Sequence, residues 1–304
     1  MCIRDRLTYL MEIKNKMTNK ELWKIRHICL TGTYNNNQMS IMKILMNKFP
    51  KTINVPFDKQ NNTYLHQSIF NRHKIFVDFF MNELNDNINY RSKNKIGISH
   101  LHALVNYGYI DHIETAIIKD PGAIQQLSDD GQNILEFAVI PCFSIISNKN
   151  SEPYKKSNTT IINIIKTLSK SITKLDLQSR NKMGYRAIEC AVRYCSTDVI
   201  DELISLGFSI NESRLKNRIF PTINNNDLIG FATQIDRLDM VKHLINIGAP
   251  IHMYHINKHN KLLVPTCLVV AIKFKRDQCI HYLLNLPESI QALSNNTIKK
   301  YLFN

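Results

Sequence analysis

The sequence predicts an all-α protein, a solenoid of stacked helix-turn-helix repeats joined by short hairpin or loop fingers. Three observations carry this expectation. Leu238–His252 spells a short amphipathic helix, a glycine stop, a proline and a returning apolar residue. Variants of that phrase recur along the chain. Each helix is also too short to be stable alone, so it must lean on a neighbour. Within the phrase, Met240, Val241, Leu244, Ile245 and Ile247 fall on one helical face, opposite Asp236, Arg237, Asp239, Lys242 and Asn246. Gly248 stops the helix because it adopts a left-handed cap without steric cost. Pro250 forbids renewed helix, and Ile251 returns an apolar side chain to the core.

The apolar residue after each second helix gives the repeat register: Ile53, Ile88, Ile124, Leu175, Ile210, Ile251 and Ile290. Successive spacings are 35, 36, 51, 35, 41 and 39 residues. A period in this range with two helices per unit predicts a stacked array. Three of the breaks share a phrase, at Pro50–Asn54, Pro121–Gln125 and Pro287–Gln291. The first helices supply a second register. Thr63-Tyr64-Leu65-His66 and Ser99-His100-Leu101-His102 are followed by weaker versions at Asn133–Glu136, Tyr185–Glu189 and Asn226–Gly230. Two residues past each His-equivalent position stands Ser68, Ala138, Ala191, Ala232 or Ala271, with Leu104 the exception. Small side chains there let adjacent helices approach closely.

On these residues the chain resembles the ankyrin repeat family, whose unit reads Thr-Pro-Leu-His, two short helices, then Gly-Ala-x-x-Asn before an outstretched hairpin. Gly248-Ala249 with Ile251, and Gly207 with Ile210-Asn211, match that ending. The resemblance covers Leu22 to Gln291, or about seven units of the ~33-residue type. The Pro of Thr-Pro-Leu-His is absent throughout, and only two units keep its His. The resemblance implies that His66 and His102 tie first-helix starts to neighbouring backbone, and that partners dock on the fingers and the concave face of first helices. Similar Asn/Lys/Ile-rich arrays occur in intracellular bacteria and large DNA viruses, which keeps a host-cell cytoplasm open as the compartment.

Taken in order, Met1–Arg6 looks like a translated scar, so residues 1–16 are expected to be a non-native or disordered leader. Met17 is a plausible start, with Thr18–Glu21 forming a capping box for the helix carrying Trp23. Residues 17–304 then make one solenoid. A polar insertion near 147–159 accounts for the 51-residue spacing. The connection Asn211–Asn226 lengthens one finger, with Phe220-Pro221 either an exposed anchor or folded back. Residues 292–304 are expected to cap the end of the array with a short helix over Thr297–Phe303.

The 304 residues carry 39 Lys+Arg against 25 Asp+Glu, a net charge of +14. That balance favours acidic proteins, nucleic acid or anionic membrane surfaces without choosing among them. Seven cysteines lie scattered with no CxxC, which points to reduced structural thiols in a cytosolic setting. No run approaches the ~18 apolar residues of a membrane helix. There is no Gly-rich phosphate loop, nucleophile elbow or metalloprotease helix. Cys190 and Cys195 have no activating base at a readable spacing. His252, His255 and His259 form the most metal-like cluster, but no Cys completes a four-ligand set and Pro250 and Pro265 argue against a helix aligning the rings. Leu286-Pro287-Glu288 distantly resembles the opening of an F-box, but the parallel phrases at Pro50 and Pro121 already explain it. No enzyme, cofactor or metal site is therefore expected.

The candidate contact residues follow from the fingers and first helices. Arg91, Lys93 and Lys95; Arg180 and Lys182; Arg214, Lys216 and Arg218; and Lys258 and Lys261 make several successive fingers basic, while Asp129-Asp130 break the series. Asn106-Tyr107 and Arg193-Tyr194 occupy equivalent positions near the ends of first helices, and Tyr and Arg are favoured interface anchors. The bland alternatives are a solvated charged face and rings wedged between repeats. The expectation is a monomeric, non-catalytic scaffold holding an acidic protein partner. The runner-up is a module for nucleic acid or acidic lipid; it rests on net charge alone and lacks a stacking stripe for single strands.

Overall fold

The computed structural model describes residues 36–48, 50–56, 58–141, 156–171, 177–211, 227–257 and 262–303. The leader, Trp23, most of the 147–159 insertion, Arg214, Lys216, Arg218, Phe220-Pro221, Lys258, His259 and Lys261 lie outside the described residues. The chain is mostly helical and divides into two compact units, residues 1–156 with 166–175 and residues 157–165 with 176–304.

In the first unit, α1 (Asn36–Lys48) is followed by the pairs α2 (Tyr64–Phe70) with α3 (Lys74–Glu83) and α4 (His100–Tyr107) with α5 (Ile110–Lys119), and then by α6 (Ile134–Val139). First helices stack on one another, α2 against α4 and α4 against α6, while each second helix packs on its own partner. The starts of the first helices follow from the sequence. Thr63, Ser99 and Asn133 accept the backbone N–H of the third helical residue, and His66, His102 and Glu136 reach back to the cap's own N–H. Such reciprocal caps satisfy orphan donors that would be costly in a buried seam. Ser68, Leu104 and Ala138, at the close-approach position, are fully buried. Leu65, Ile69, Phe76, Phe80, Leu101, Ile113 and Ala116 form the core beside them. Each of the larger side chains contributes roughly 1.5–3 kcal/mol of burial.

Helix α7 (Asn158–Ser169) is divided between the units at residue 165, and the second unit then holds the pairs α8 (Ala187–Tyr194) with α9 (Thr197–Ser205), α10 (Leu228–Gln234) with α11 (Leu238–Asn246), and α12 (Thr266–Lys273) with α13 (Asp277–Leu284). Here α8, α10 and α12 stack in sequence, and α9, α11 and α13 do the same. Helix α11 stops at Gly248, φ +83°, with Met240, Val241 and Leu244 buried, while Ile245, Ile247 and Ile251 are only half-buried. The finger between α11 and α12 is a two-stranded antiparallel ribbon, β1 (Met253–Asn257) with β2 (Leu262–Pro265), whose register shifts between His255 and Asn257.

The end of the chain departs from the register in one place. Ile290 does not return to the core but stays exposed, because Pro287–Leu293 continues as helix α14 and turns Ser289 and Ala292 inward instead. The last helix, α15 (Asn296–Phe303), buries Ile298 and Leu302.

Two glycines separate the cost of backbone from the cost of packing. Gly97 has φ +74°, and a Cβ there would lie 2.2 Å from the Asp129 backbone N of the next finger. Gly184 has φ +87° with nothing within 4 Å of its Cβ position. Gly184→Ala is expected to cost only the left-handed backbone penalty, about 1–2 kcal/mol. Gly97→Ala should cost that plus about 1–3 kcal/mol of overpacking. Urea unfolding of both variants measures the difference, and equal losses would show that the fingers do not touch.

Candidate functional site

Four fingers share one hairpin, built from the same hydrogen bonds. The Asp58 Oδ1 accepts the backbone N–H groups of Gln60 and Asn62 at 2.9 and 2.8 Å. The Asn94 Oδ1 does the same for Ile96 and Ile98, and the Asn181 Oδ1 for Met183 and Tyr185. Ser128 Oγ accepts from the Gln132 N–H at 3.1 Å. Three residues after each of these acceptors, the chain is left-handed, at Asn61, Gly97, Gly131 and Gly184. Short polar side chains that hold their own backbone favour such turns. The two residues between are the finger tips, Lys59-Gln60, Lys95-Ile96, Asp129-Asp130 and Lys182-Met183, and all eight are exposed.

In the first unit the fingers are tied to each other. Lys95 N–H donates to the Gln60 carbonyl at 2.8 Å, and the Asn94 amide donates to the Asn62 Oδ1 at 3.0 Å. Asn54 bridges the next repeat by donating to the Asn87 carbonyl and accepting from the Asn89 N–H.

The cations grouped by sequence fall into two sets. Those at the finger bases are held internally. Arg91 grips Asp120 through Nε and Nη2, its guanidinium beside Gly122 where a Cβ would collide with it. The Asp120 carboxylate holds the Arg91 guanidinium above its ordinary pKa. Lys93 donates to the Leu127 carbonyl at 2.7 Å, and Arg180 to the Gly184 carbonyl at 2.7 Å, with Glu189 3.6 Å away. At the tips, Lys95 and Lys182 occupy the same hairpin position, and so does Lys59, which the sequence reading passed over. Its signal was present: each Lys directly follows the residue that closes the turn.

The first-helix candidates also divide. Asn106 and Tyr107 are buried, the ring of Tyr107 lying 5.6 Å from that of Phe70 on the preceding first helix. Arg193 is exposed and its guanidinium sits 5.5 Å from the Tyr194 ring centroid, while its carbonyl accepts from Arg237.

Two buried charges had no signature in the sequence. Lys156 is 3% exposed, and its Nζ donates to the carbonyls of Asn106, Phe137 and Ile140 and to the Asn106 Oδ1 at 2.8–3.3 Å. It therefore neutralises the carbonyl-rich C-terminal ends of α4 and α6. Arg186 stands where other repeats place Thr63, Ser99, Asn133 or Asp227, and it is fully buried against Glu189 at 2.8 Å and Gln178 at 2.6 Å. Among the described residues no group of three His, Cys, Asp or Glu side chains lies close enough to hold a metal ion, and no helix is long and apolar enough to cross a membrane. Cys190, Cys195, Cys267 and Cys279 are buried and form no disulfide, and burial pushes the Cys267 thiol up to about 12.

Capped first helices stacked on each other, second helices behind them and hairpins closing the repeats define an ankyrin-type array, the fold of ankyrin repeat proteins. It is 33% identical over 306 residues to an ankyrin repeat protein of Acanthamoeba polyphaga mimivirus. That alignment takes in 99% of this chain but only 29% of the relative, so the chain spans under a third of the viral protein's length. Among solved structures it is similar to the ankyrin repeat domain of Bcl-3, a member of the IkappaB family. The TM-score is 0.53 at 16% identity, over 78% of this chain and 100% of that one. A chain from the complex of the Bdellovibrio bacteriovorus predatory endopeptidase Bd0816 with its immunity protein gives a TM-score of 0.49 at 20% identity, over 73% of this chain and 96% of that one. No protein-family model matches the chain.

The two kinds of cation should respond differently to mutation. Arg186→Met leaves the buried Glu189 carboxylate with only the more distant Arg180, 3.6 Å away, as its cation and is expected to cost about 3 kcal/mol. Arg91→Ala removes an ion pair at an exposed position and should leave the thermal midpoint within the spread of ordinary surface substitutions. Calorimetry of the two variants checks this.

Proposed function

We propose that the chain is a non-catalytic binding scaffold that holds an acidic protein segment at its finger tips. The carrying observation is the repeated hairpin. It exposes Lys59, Lys95 and Lys182 at one register, while Arg91, Lys93 and Arg180 have their donors engaged internally. Ile96 and Met183, 44% and 78% exposed, follow two of these lysines and offer apolar area beside the charge. A cation with an adjacent apolar residue suits a partner segment in which a carboxylate neighbours an aliphatic or aromatic side chain. The resemblance to ankyrin repeat proteins supports a protein partner, since such arrays serve as protein-binding scaffolds. Arg193 with Tyr194 adds a candidate contact on a first helix. Of the remaining finger cations, Arg214, Lys216, Arg218, Lys258 and Lys261 remain candidate contacts by sequence position alone. Asn106 and Tyr107 contribute by shaping the stack beneath it.

Affinity capture on the wild-type chain, followed by binding measurements on the recovered protein, tests this reading. Lys59→Glu, Lys95→Glu and Lys182→Glu combined are expected to weaken binding at least tenfold, whereas Arg91→Ala should change it less than threefold. Binding that falls linearly in log salt with a slope of several ions, and that nucleic acid reproduces, would instead support the phosphate-binding reading.

A further inference from the structure

Three histidines meet where the first two complete repeats join, and their hydrogen bonds leave each ring only one protonation state. The His66 Nε2 lies 3.0 Å from the Ile98 carbonyl, which can only accept, so Nε2 carries the proton. The His66 Nδ1 is then a lone pair and accepts the Thr63 backbone N–H at 3.3 Å. The His100 Nδ1 lies 2.9 Å from the Asn89 carbonyl and carries that ring's proton, so the His100 Nε2 accepts the Thr63 hydroxyl at 2.6 Å. The His102 Nε2 donates to the Gln126 carbonyl at 3.1 Å, and its Nδ1 accepts the Ser99 backbone N–H at 3.2 Å. His66 and His100 are in ring contact, with centroids 4.1 Å apart, and all three rings are fully buried.

These bonds make a chain across the stack: Asn89 to His100 to Thr63 to His66 to Ile98, with His102 continuing to the next finger. A second proton finds no free acceptor on His66 or His102, because the backbone N–H of Thr63 or Ser99 already points at the vacant nitrogen. On His100 it can be placed only by turning the Thr63 hydroxyl round, which brings a cation against the ring of His66.

We propose that this cluster makes the first unit acid-labile, so that mild acidification opens the junction between α2 and α4 while the helix starts of the second unit hold. The first helices of the second unit carry no histidine at these positions. Helix α8 starts on Arg186 with Glu189, whose carboxylate accepts both the Arg186 N–H and its guanidinium. Arg180 also faces Glu189. Helix α10 starts on Asp227, which accepts the Gly230 N–H at 2.6 Å and has His252 and Cys267 as its titratable neighbours.

The direction of the pH effect follows from burial. Desolvation lowers His100 and His102 to about 4 and holds His66 well below its ordinary value. The titratable or charged groups acting on the three rings are the rings themselves and Lys93, and each opposes a further positive charge. The unfolded chain takes up these protons near 6.5. Stability is therefore complete above that pH and is lost as the pH falls toward 4. Asp227 runs the other way, since burial raises its carboxyl and the folded state takes the proton more readily than the unfolded one.

Hydrogen exchange of the full chain at pH 7.0 and 5.0, corrected for intrinsic rates, tests the proposal. Amides of residues 64–70 and 100–107 are expected to exchange at least tenfold faster at pH 5.0, with those of 187–194 unchanged within twofold and those of 228–234 unchanged or slower, as the raised Asp227 carboxyl requires. Equal responses in both units, or none in the first, would overturn it. His100→Gln keeps a neutral donor and acceptor at that point and should shrink the acid acceleration at least threefold; an undiminished response counts against the cluster. If that variant does not fold, ring ¹⁵N spectra of the wild type still decide. Neutral Nε2–H signals for His66 and His102 and an Nδ1–H signal for His100 down to pH 5 support the proposal, and titration near 6.5 overturns it.

Discussion

Every repeat depends on how the first turn of its first helix is satisfied. That turn is buried between neighbouring repeats, where its backbone N–H groups cannot reach water, and an unpaired one would cost more than the contact gains. Thr63 with His66, Ser99 with His102 and Asn133 with Glu136 each close the turn reciprocally. Because the His side chains have a second nitrogen, the cap also reaches the neighbouring finger, so one residue serves both the local helix and the stack. Apolar packing then adds stability without having to set the register.

The same need is met with different chemistry in the two units. The first uses neutral histidine, which has both a donor and an acceptor but tolerates no extra proton. The second uses an ion pair at Arg186 and Glu189 and a single carboxylate at Asp227. A buried guanidinium beside Glu189 is tolerable because Gln178 occupies a further donor. Lys156 is a third solution at the opposite helix ends, with one ammonium shared among backbone carbonyls and a side-chain amide. Buried charges of this kind stabilise little on balance, but removing one partner is expensive.

On the outside, the fingers separate structural charge from charge available to a partner. Side chains at the base of a hairpin reach the next repeat and are used there, as with Arg91 on Asp120 and Lys93 on the Leu127 carbonyl. Side chains at the tip stand beyond that reach. Close approach of neighbouring hairpins reinforces the division, since Gly97 lies directly against Asp129. A net charge of +14 therefore overstates what a partner meets on the described fingers.

Local pattern was enough to define the repeats. The apolar stripe of α11, the stop at Gly248, the caps at Thr63 and Ser99 and the small residues at Ser68 and Ala191 all depend on neighbours within a few positions, and a periodic sequence states them many times. The terminal register at Ile290 was misread because Pro287 can begin a helix as well as end one, and only packing chose. The same limit applied to the charges. Spacing put Arg91, Lys93 and Lys95 together, but which of them meets an acceptor depends on residues about 30 positions away. The folded chain alone brings Asp120 to Arg91, Thr63 to His100 and Asn106 to Lys156, because those bonds form between repeats, across distances that no local pattern records.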